Sequence, residues 1–274
     1  MKNLLTEHDR TFFQKNGYIV LNQMLNEKEV QKYLLKMKSV FEIESMDNKN
    51  ISKNTYKIAD GMTKNEEFWD LITDDRIVNA IRFLYEDDIC YAQHSDLHIN
   101  NTGGRLHRDS RDRIFGEGGD WDESNEKYGV VRVPIYLSDY NDCHSSILIY
   151  PKSHKTENFL QKFEFKVINK LTSILRKFNL NNYIPKISIT RQHVVHKTKP
   201  GDVVIFDQRL VHASGNLKRN KGFSRYAMFL SYGLKNSHTQ NHRNYYIHEK
   251  ALGYLKDFPD KLMSLLANKN LLNN

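Results

Sequence analysis

Cysteine is almost missing from these 274 residues: Cys90 and Cys143 are the only two, far apart and without paired spacing. That argues against a disulfide framework or a cysteine metal site, and it fits a reducing cytoplasm. No apolar run approaches the roughly 20 residues a membrane-spanning helix needs. The polar start, with Lys2, Glu7, His8, Asp9 and Arg10, lacks the apolar stretch of a signal peptide. There is no internal repeat, low-complexity tract or convincing linker, so one domain is the expected count. Basic clustering is missing too. The formal net charge is +8, yet the lysines are scattered, and no basic helix carries interleaved aromatics. Neither a nucleic acid nor a membrane is therefore the expected partner; a small molecule is, and the charge favours an anionic one. What remains, 39% hydrophobic and 27% charged residues, is ordinary for a globular chain able to bury a sizeable core. Nothing in the sequence sets an oligomeric state.

Local patterns predict helices at both ends and strands between. Thr6 can cap a short helix that Gly17 ends, and Tyr18-Ile19-Val20-Leu21 reads as a strand. Asn26 with Glu29 is a capping-box signature for a helix reaching about Phe41. Residues 46–64 are polar and unperiodic and read as a loop; helices follow around 65–72 and 75–85. From Ile89 the period changes to two. Over 89–100, His94, Asp96 and His98 fall on one face of a strand, with Ser95, Leu97 and Ile99 on the other. Further strands are expected over 130–137, 146–150, 203–206 and 224–232, a surface helix over 157–177, and a helical tail over 247–266 with a break near Pro259. Loops at 46–64, 116–127 and 157–192 are placed to cover a pocket. The pattern is that of an α+β protein built on a β-sandwich or jelly roll.

Metal chemistry is the sharpest signal. In Gly103-Gly104-Arg105-Leu106-His107-Arg108-Asp109 a glycine turn leads into a histidine and an aspartate two residues apart. On an extended segment both would point the same way and could grip one ion. His212, between a hydrophobic strand and the small residues Ala213-Ser214-Gly215, is the candidate third ligand. Two histidines and a carboxylate on one face of an ion are typical of non-haem Fe(II) oxygenases. His94-Ser95-Asp96 is a second pair of the same form, and His144, His154, His193 and His196 rival His212. Spacing alone does not decide among them. Arg225, opening the last strong strand, is costly inside a barrel unless it meets a carboxylate, and Ser214 can add a hydroxyl.

Several motifs, in order, resemble the phytanoyl-CoA dioxygenase-like family of Fe(II)- and 2-oxoglutarate-dependent oxygenases. These are Asn16-Gly17-Tyr18; Gly103 to Asp109; Val133-Pro134-Ile135-Tyr136-Leu137-Ser138-Asp139 with Tyr150-Pro151-Lys152-Ser153-His154; and Pro200-Gly201-Asp202 through His212-Ala213-Ser214. The resemblance runs from near the N-terminus to about Gly233. It selects His107 over His94, and implies a double-stranded β-helix (jelly-roll, cupin-like) core over about 89–233. A helical flank over 1–88 and a helical tail over 234–274 complete one domain of 1–274. It implies iron held by His107, Asp109 and His212, and 2-oxoglutarate held by Arg225, Ser214 and, from the alternating strand, His98. It also implies hydroxylation of a small molecule with succinate and CO2 as co-products, Asp109 being the carboxylate that halogenating relatives lack. Lys152 stands where the family has glycine, Cys143-His144-Ser145 replaces its usual turn, and Arg225 sits about two residues late. Arg105, Arg108, Arg111, Arg113 and Arg132 are candidates to attract an anionic substrate, and Tyr136 and Asp96 to line its pocket. Two other readings compete: a ligand-binding β-sandwich module with a vestigial metal site, and a hydrolase or isomerase using a bound cation as Lewis acid.

Overall fold

Period-two alternation along the middle of the chain resolves into two facing antiparallel sheets. The computed structural model describes residues 5–47, 56–100, 105–178, 190–215, 223–250 and 253–273. Among these the strands are β1 (Tyr18–Leu21), β2 (Tyr56–Ala59), β3 (Ile89–Ile99), β4 (Val131–Tyr136), β5 (Ser146–Ile149), β6 (Val194–Lys197), β7 (Val203–Asp207), β8 (His212–Ser214) and β9 (Tyr226–Leu234). The larger sheet runs β1-β7-β4-β9-β3-β2, the smaller β6-β5-β8. β1 and β2, which precede residue 89, form the two edges of the larger sheet.

Side-chain alternation assigns the layers. Val131, Val133 and Ile135 of β4, Val203 and Ile205 of β7, and Met228, Leu230 and Tyr232 of β9 enter one core with the helices outside the larger sheet. Their neighbours Tyr136, Val204, Phe206 and Ala227 turn inward and meet Ile147 and Ile149 of β5 between the sheets. Burying each such aliphatic or aromatic side chain is worth about 1.5–3 kcal/mol, so a one-residue slip of either strand would be prohibitive. This closed pair of sheets is the double-stranded β-helix, with α1 (Glu7–Asn16), α2 (Glu27–Asp47), α3 (Gly61–Lys64), α4 (Trp69–Ile72) and α5 (Asp75–Tyr85) before β3. α6 (Tyr140–Cys143) precedes β5. α7 (Phe159–Lys177) covers the smaller sheet, where Ile168 meets Leu106, Leu148 and Val211. α8 (Ser237–Asn244), a π-helical turn (Tyr245–Glu249) and α9 (Asp260–Asn268) close the chain.

Both capping boxes are formed: Thr6 with Asp9, and Asn26 with Glu29. Gly17 ends α1 at φ 82°, where a Cβ would lie 2.5 Å from His154 Nδ1, so no other residue fits there. Three expectations need correction. Residues 46–64 are not a plain loop: α2 runs on to Asp47, and β2 and α3 occupy the end, β2 held by pairing with β3 rather than by its own pattern. The tail breaks near Pro259 as expected, α9 starting at Asp260, but the helical stretch before the break stops at Glu249. His107 to Asp109 is not a strand but a single bridge at His107. The turn at Gly103-Gly104 and residues 216–222 lie outside the described residues.

Candidate metal centre

Backbone pairing brings the distant ligand candidates together. His107 forms an antiparallel bridge with His212, and the amides of Asp109 and Ser110 both donate to the carbonyl of Gln208, at 2.9 and 3.0 Å. Gln208 is itself fully buried, its side-chain amide donating to Ser231 Oγ at 3.0 Å and to the carbonyl of Val131 at 3.3 Å. The turn before β8 is thus a template for the segment carrying His107 and Asp109. His107 Nε2 lies 3.5 Å from Asp109 Oδ1, and His212 Nε2 lies 3.5 Å from Asp109 Oδ2. All three ligand atoms fall within 4.8 Å of one another, a group able to hold a metal ion.

Each imidazole has its tautomer set from behind. His107 Nδ1 donates to the carbonyl of Arg105 at 2.9 Å, and His212 Nδ1 to the carbonyl of Leu210 at 3.0 Å. A carbonyl only accepts, so Nε2 of both rings keeps its lone pair for an ion. Burial alone would raise the Asp109 carboxyl. Facing His212 and His107, each with Nε2 at 3.5 Å, it is held well below the usual carboxylate range instead. Burial lowers His212, while in His107 burial is outweighed by Asp109, which raises it. An incoming divalent cation would therefore displace a proton from His107 and then meet a carboxylate and two Nε2 lone pairs, the donor set it needs.

A cavity of about 310 Å³ opens beside this group, lined also by His98, Tyr136, Ser214 and Arg225. Arg225, 3% exposed, stands immediately before β9, its amide held by Asn100 Oδ1 at 2.8 Å. Its guanidinium lies 5.7 Å from the Tyr136 ring centre, yet Nε and Nη1 have no partner among the described residues. A buried cation with idle donors is expensive, and a carboxylate from outside the chain would satisfy it. His98 Nε2 is likewise buried without a partner, and burial pushes this histidine down to about 3, so it is neutral.

Across the cavity, Arg132 of β4 donates to Asp96 Oδ2 at 2.7 Å, and its Nε lies 3.9 Å from Asp109 Oδ2. Its other nitrogen donates to the carbonyl of His94, which a bulge in β3 frees from the ladder. That bulge puts Gln93 and His94 at φ 58° and 45°, strained values for residues with a Cβ. Burial would raise Asp96, but Arg132 and then Lys57, 3.0 Å away, hold it far below the carboxylate range. Of two aromatic residues that no sequence motif flagged, Tyr246 lines the cavity and Tyr254 supports its Asp96. Tyr246 stacks on His94 with ring centres 3.5 Å apart and donates to the carbonyl of Asp109 at 3.0 Å. Tyr254 donates to Asp96 Oδ1 at 2.8 Å.

All six sequence-derived site residues, His107, Asp109, His212, Arg225, Ser214 and His98, line one cavity, as do Tyr136 and Asp96. Of the rivals, His196 binds Asp202 at 2.9 Å and His154 lines a separate cleft. His94 lines this same cavity but stands outside the three-residue group and contacts His242 at 3.2 Å. Of the five candidate arginines, Arg113 and Arg132 reach the cavity. Arg108 is buried against Glu157, Arg111 pairs with Asp112, and Arg105 is exposed.

A family model for phytanoyl-CoA dioxygenase matches residues 13–225. Among curated proteins no sequence match was found. Solved structures share the architecture. SnoK, a non-heme alpha-ketoglutarate-dependent carbocyclase from nogalamycin biosynthesis, is 16% identical with a TM-score of 0.59 over 85% of each chain. HygX from Streptomyces hygroscopicus, solved with nickel and 2-oxoglutarate, is 19% identical with a TM-score of 0.58 over 84% of this chain and 87% of that one. SnoN, a non-heme alpha-ketoglutarate-dependent epimerase from nogalamycin biosynthesis, is 13% identical with a TM-score of 0.56 over 84% and 83%. At these identities the likeness is one of fold.

Proposed function

Because the chain belongs to the phytanoyl-CoA dioxygenase family, we propose that it is an Fe(II)- and 2-oxoglutarate-dependent dioxygenase hydroxylating a small molecule. The observation that carries this reading is the convergence of His107, Asp109 and His212 beside a buried arginine with idle donors. The first three would hold the iron; Arg225, with Ser214 and His98, would hold the far carboxylate of 2-oxoglutarate. When bound, the pair supplies oxidative chemistry with O2 that removes a substrate hydrogen and yields succinate and CO2.

The chain's own residues do the rest. The carbonyls of Arg105 and Leu210 keep both ligand imidazoles pointed at the ion. Arg132 orders Asp96 and stands behind Asp109, and Tyr246 fixes the Asp109 backbone. Phe206, Ile147 and Phe229 make the apolar part of the wall that keeps bulk water from the reacting position. Asp109 fills the carboxylate position, which supports hydroxylation over halogenation. SnoK and SnoN, named a carbocyclase and an epimerase, are the reason the outcome has to be read from product. A non-catalytic binding module would leave the two preset tautomers and the idle Arg225 donors without purpose. Free, buried Cys90 and Cys143 support a reducing, cytoplasmic setting.

The test is succinate formation from 2-oxoglutarate by purified protein, with and without Fe(II) and O2, followed by mass analysis of a substrate panel. Succinate that requires both, disappears in His107→Ala, and accompanies a product heavier by one oxygen atom is the expected result. Equal succinate with and without iron would overturn the proposal.

A further inference from the structure

Five cationic side chains line the cavity, Lys57, Arg113, Arg132, Arg225 and Lys250, against two carboxylates, Asp96 and Asp109. His98 adds no charge, since burial keeps it neutral. A divalent ion and a doubly charged dicarboxylate cancel each other, so loading the centre would leave the positive excess in place. Sorting the cations shows where it resides. Arg132 and Lys57 share Asp96, at 2.7 and 3.0 Å. Arg225 is taken by the cosubstrate under the reading above, on which this inference rests. Arg113 and Lys250 remain.

Both are exposed residues of the cavity lining. Arg113 hydrogen-bonds Tyr246, and the Lys250 ammonium lies 6.0 Å from the Tyr245 ring centre. Among the described residues no carboxylate pairs with either, whereas Arg108 and Arg111 beside the metal motif are each tied to one. Unpaired cations at the mouth of a half-enclosed, low-dielectric cleft focus the field on whatever enters. A planar guanidinium fork beside a mobile ammonium suits a carboxylate or phosphate oxygen cluster.

We propose that the substrate carries such an anionic group, and that Arg113 and Lys250 receive it at the cavity mouth. Residue 250 lies beyond the family match at 13–225, so half of this receptor comes from a segment that the match leaves out.

The experiment uses the full chain loaded with Zn(II), which allows no turnover, and saturating 2-oxoglutarate, which occupies Arg225. Calorimetry then measures binding of inorganic pyrophosphate, benzoate and neutral benzyl alcohol to the wild type, Arg113→Gln, Lys250→Gln and the double variant. At least one anion binds the wild type, about tenfold weaker to each single variant and weaker still to the double, and more tightly than benzyl alcohol. Which anion binds separates phosphate from carboxylate. Equal anion affinity in the wild type and the double variant, or binding of neither anion at millimolar concentration, overturns the proposal. 2-Oxoglutarate affinity is the control and stays within about twofold across the variants. Its absence already in the wild type would overturn the dioxygenase reading instead, so the two failures are distinct.

Discussion

His107 and His212 exchange both of their backbone hydrogen bonds, each amide donating to the other's carbonyl at 3.0 Å. In an antiparallel pair of this kind the two side chains leave on the same side, and the rings stand 4.3 Å apart between centres. The cation site is therefore built by the main chain, before any ion arrives.

Substituting a ligand should then cost metal rather than fold. With a divalent ion at a hundred times its dissociation constant, the wild type gains about 2.7 kcal/mol of stability. His107→Ala and His212→Ala should lose that gain and their 2-oxoglutarate turnover together, while metal-free unfolding stays cooperative. Urea titrations with and without the ion measure both effects.

Arg225→Lys keeps the charge but loses the fork. Truncating one side of a buried, hydrogen-bonded charge pair costs about 2–5 kcal/mol, and an ammonium recovers only part of it. Apparent affinity for 2-oxoglutarate should fall about tenfold or more, part of the roughly thirtyfold that even the low end of that scale implies, with metal affinity unchanged. An unaltered 2-oxoglutarate KM in this variant would remove Arg225 from the site.

Asp96 is 1% exposed and holds Arg132, Lys57 and Tyr254 at once. Asp96→Ala strands a buried guanidinium, for which the expected loss is about 3–5 kcal/mol. The double variant Asp96→Leu/Arg132→Met should recover much of it, because the strandedness, and not the missing pair, is what destabilises. Chemical denaturation of the three proteins decides this.

Asp60 gives the chain a pH signature. It accepts hydrogen bonds from Gln93, Ser95 and the Leu255 amide, yet burial lifts its carboxyl to about 6. An unfolded aspartate ionises near 3.9, so between roughly pH 4 and 6 the unfolded chain sheds this proton first. Stability from this group is therefore greatest below that window and falls as pH rises through it, by about 3 kcal/mol at 1.36 kcal/mol per pH unit. In Asp60→Asn the unfolding free energy should lose that slope. An unchanged slope would clear Asp60 of the effect.

Caps, strands and the metal motif could be read from the chain because each rests on local chemistry. Thr6 and Asn26 cap through side chains three residues away, and the β4, β7 and β9 faces follow from alternation alone. His107 and Asp109 are neighbours in sequence, and His212 stands out among its rivals by the strand before it and the small residues after it. Preferring His107 to His94 needs the family resemblance as well. What escaped depends on distant partners. β2 exists because β3 offers it a ladder, and the bulge at Gln93 and His94 exists because Arg132 and Ser231 use the carbonyl it frees. Tyr246 lines the cavity and Tyr254 supports it, through contacts with His94, Asp109 and Asp96, and nothing in their own neighbourhood of sequence announces it.

The cavity draws its ion-holding residues from the middle of the chain and two further lining residues, Tyr246 and Lys250, from beyond residue 225. Of the proposed admission pair, Arg113 is encoded beside the ligands and Lys250 far from them. Edits at Lys250 can retune which compounds are let in, while the oxidising apparatus passes to descendants untouched.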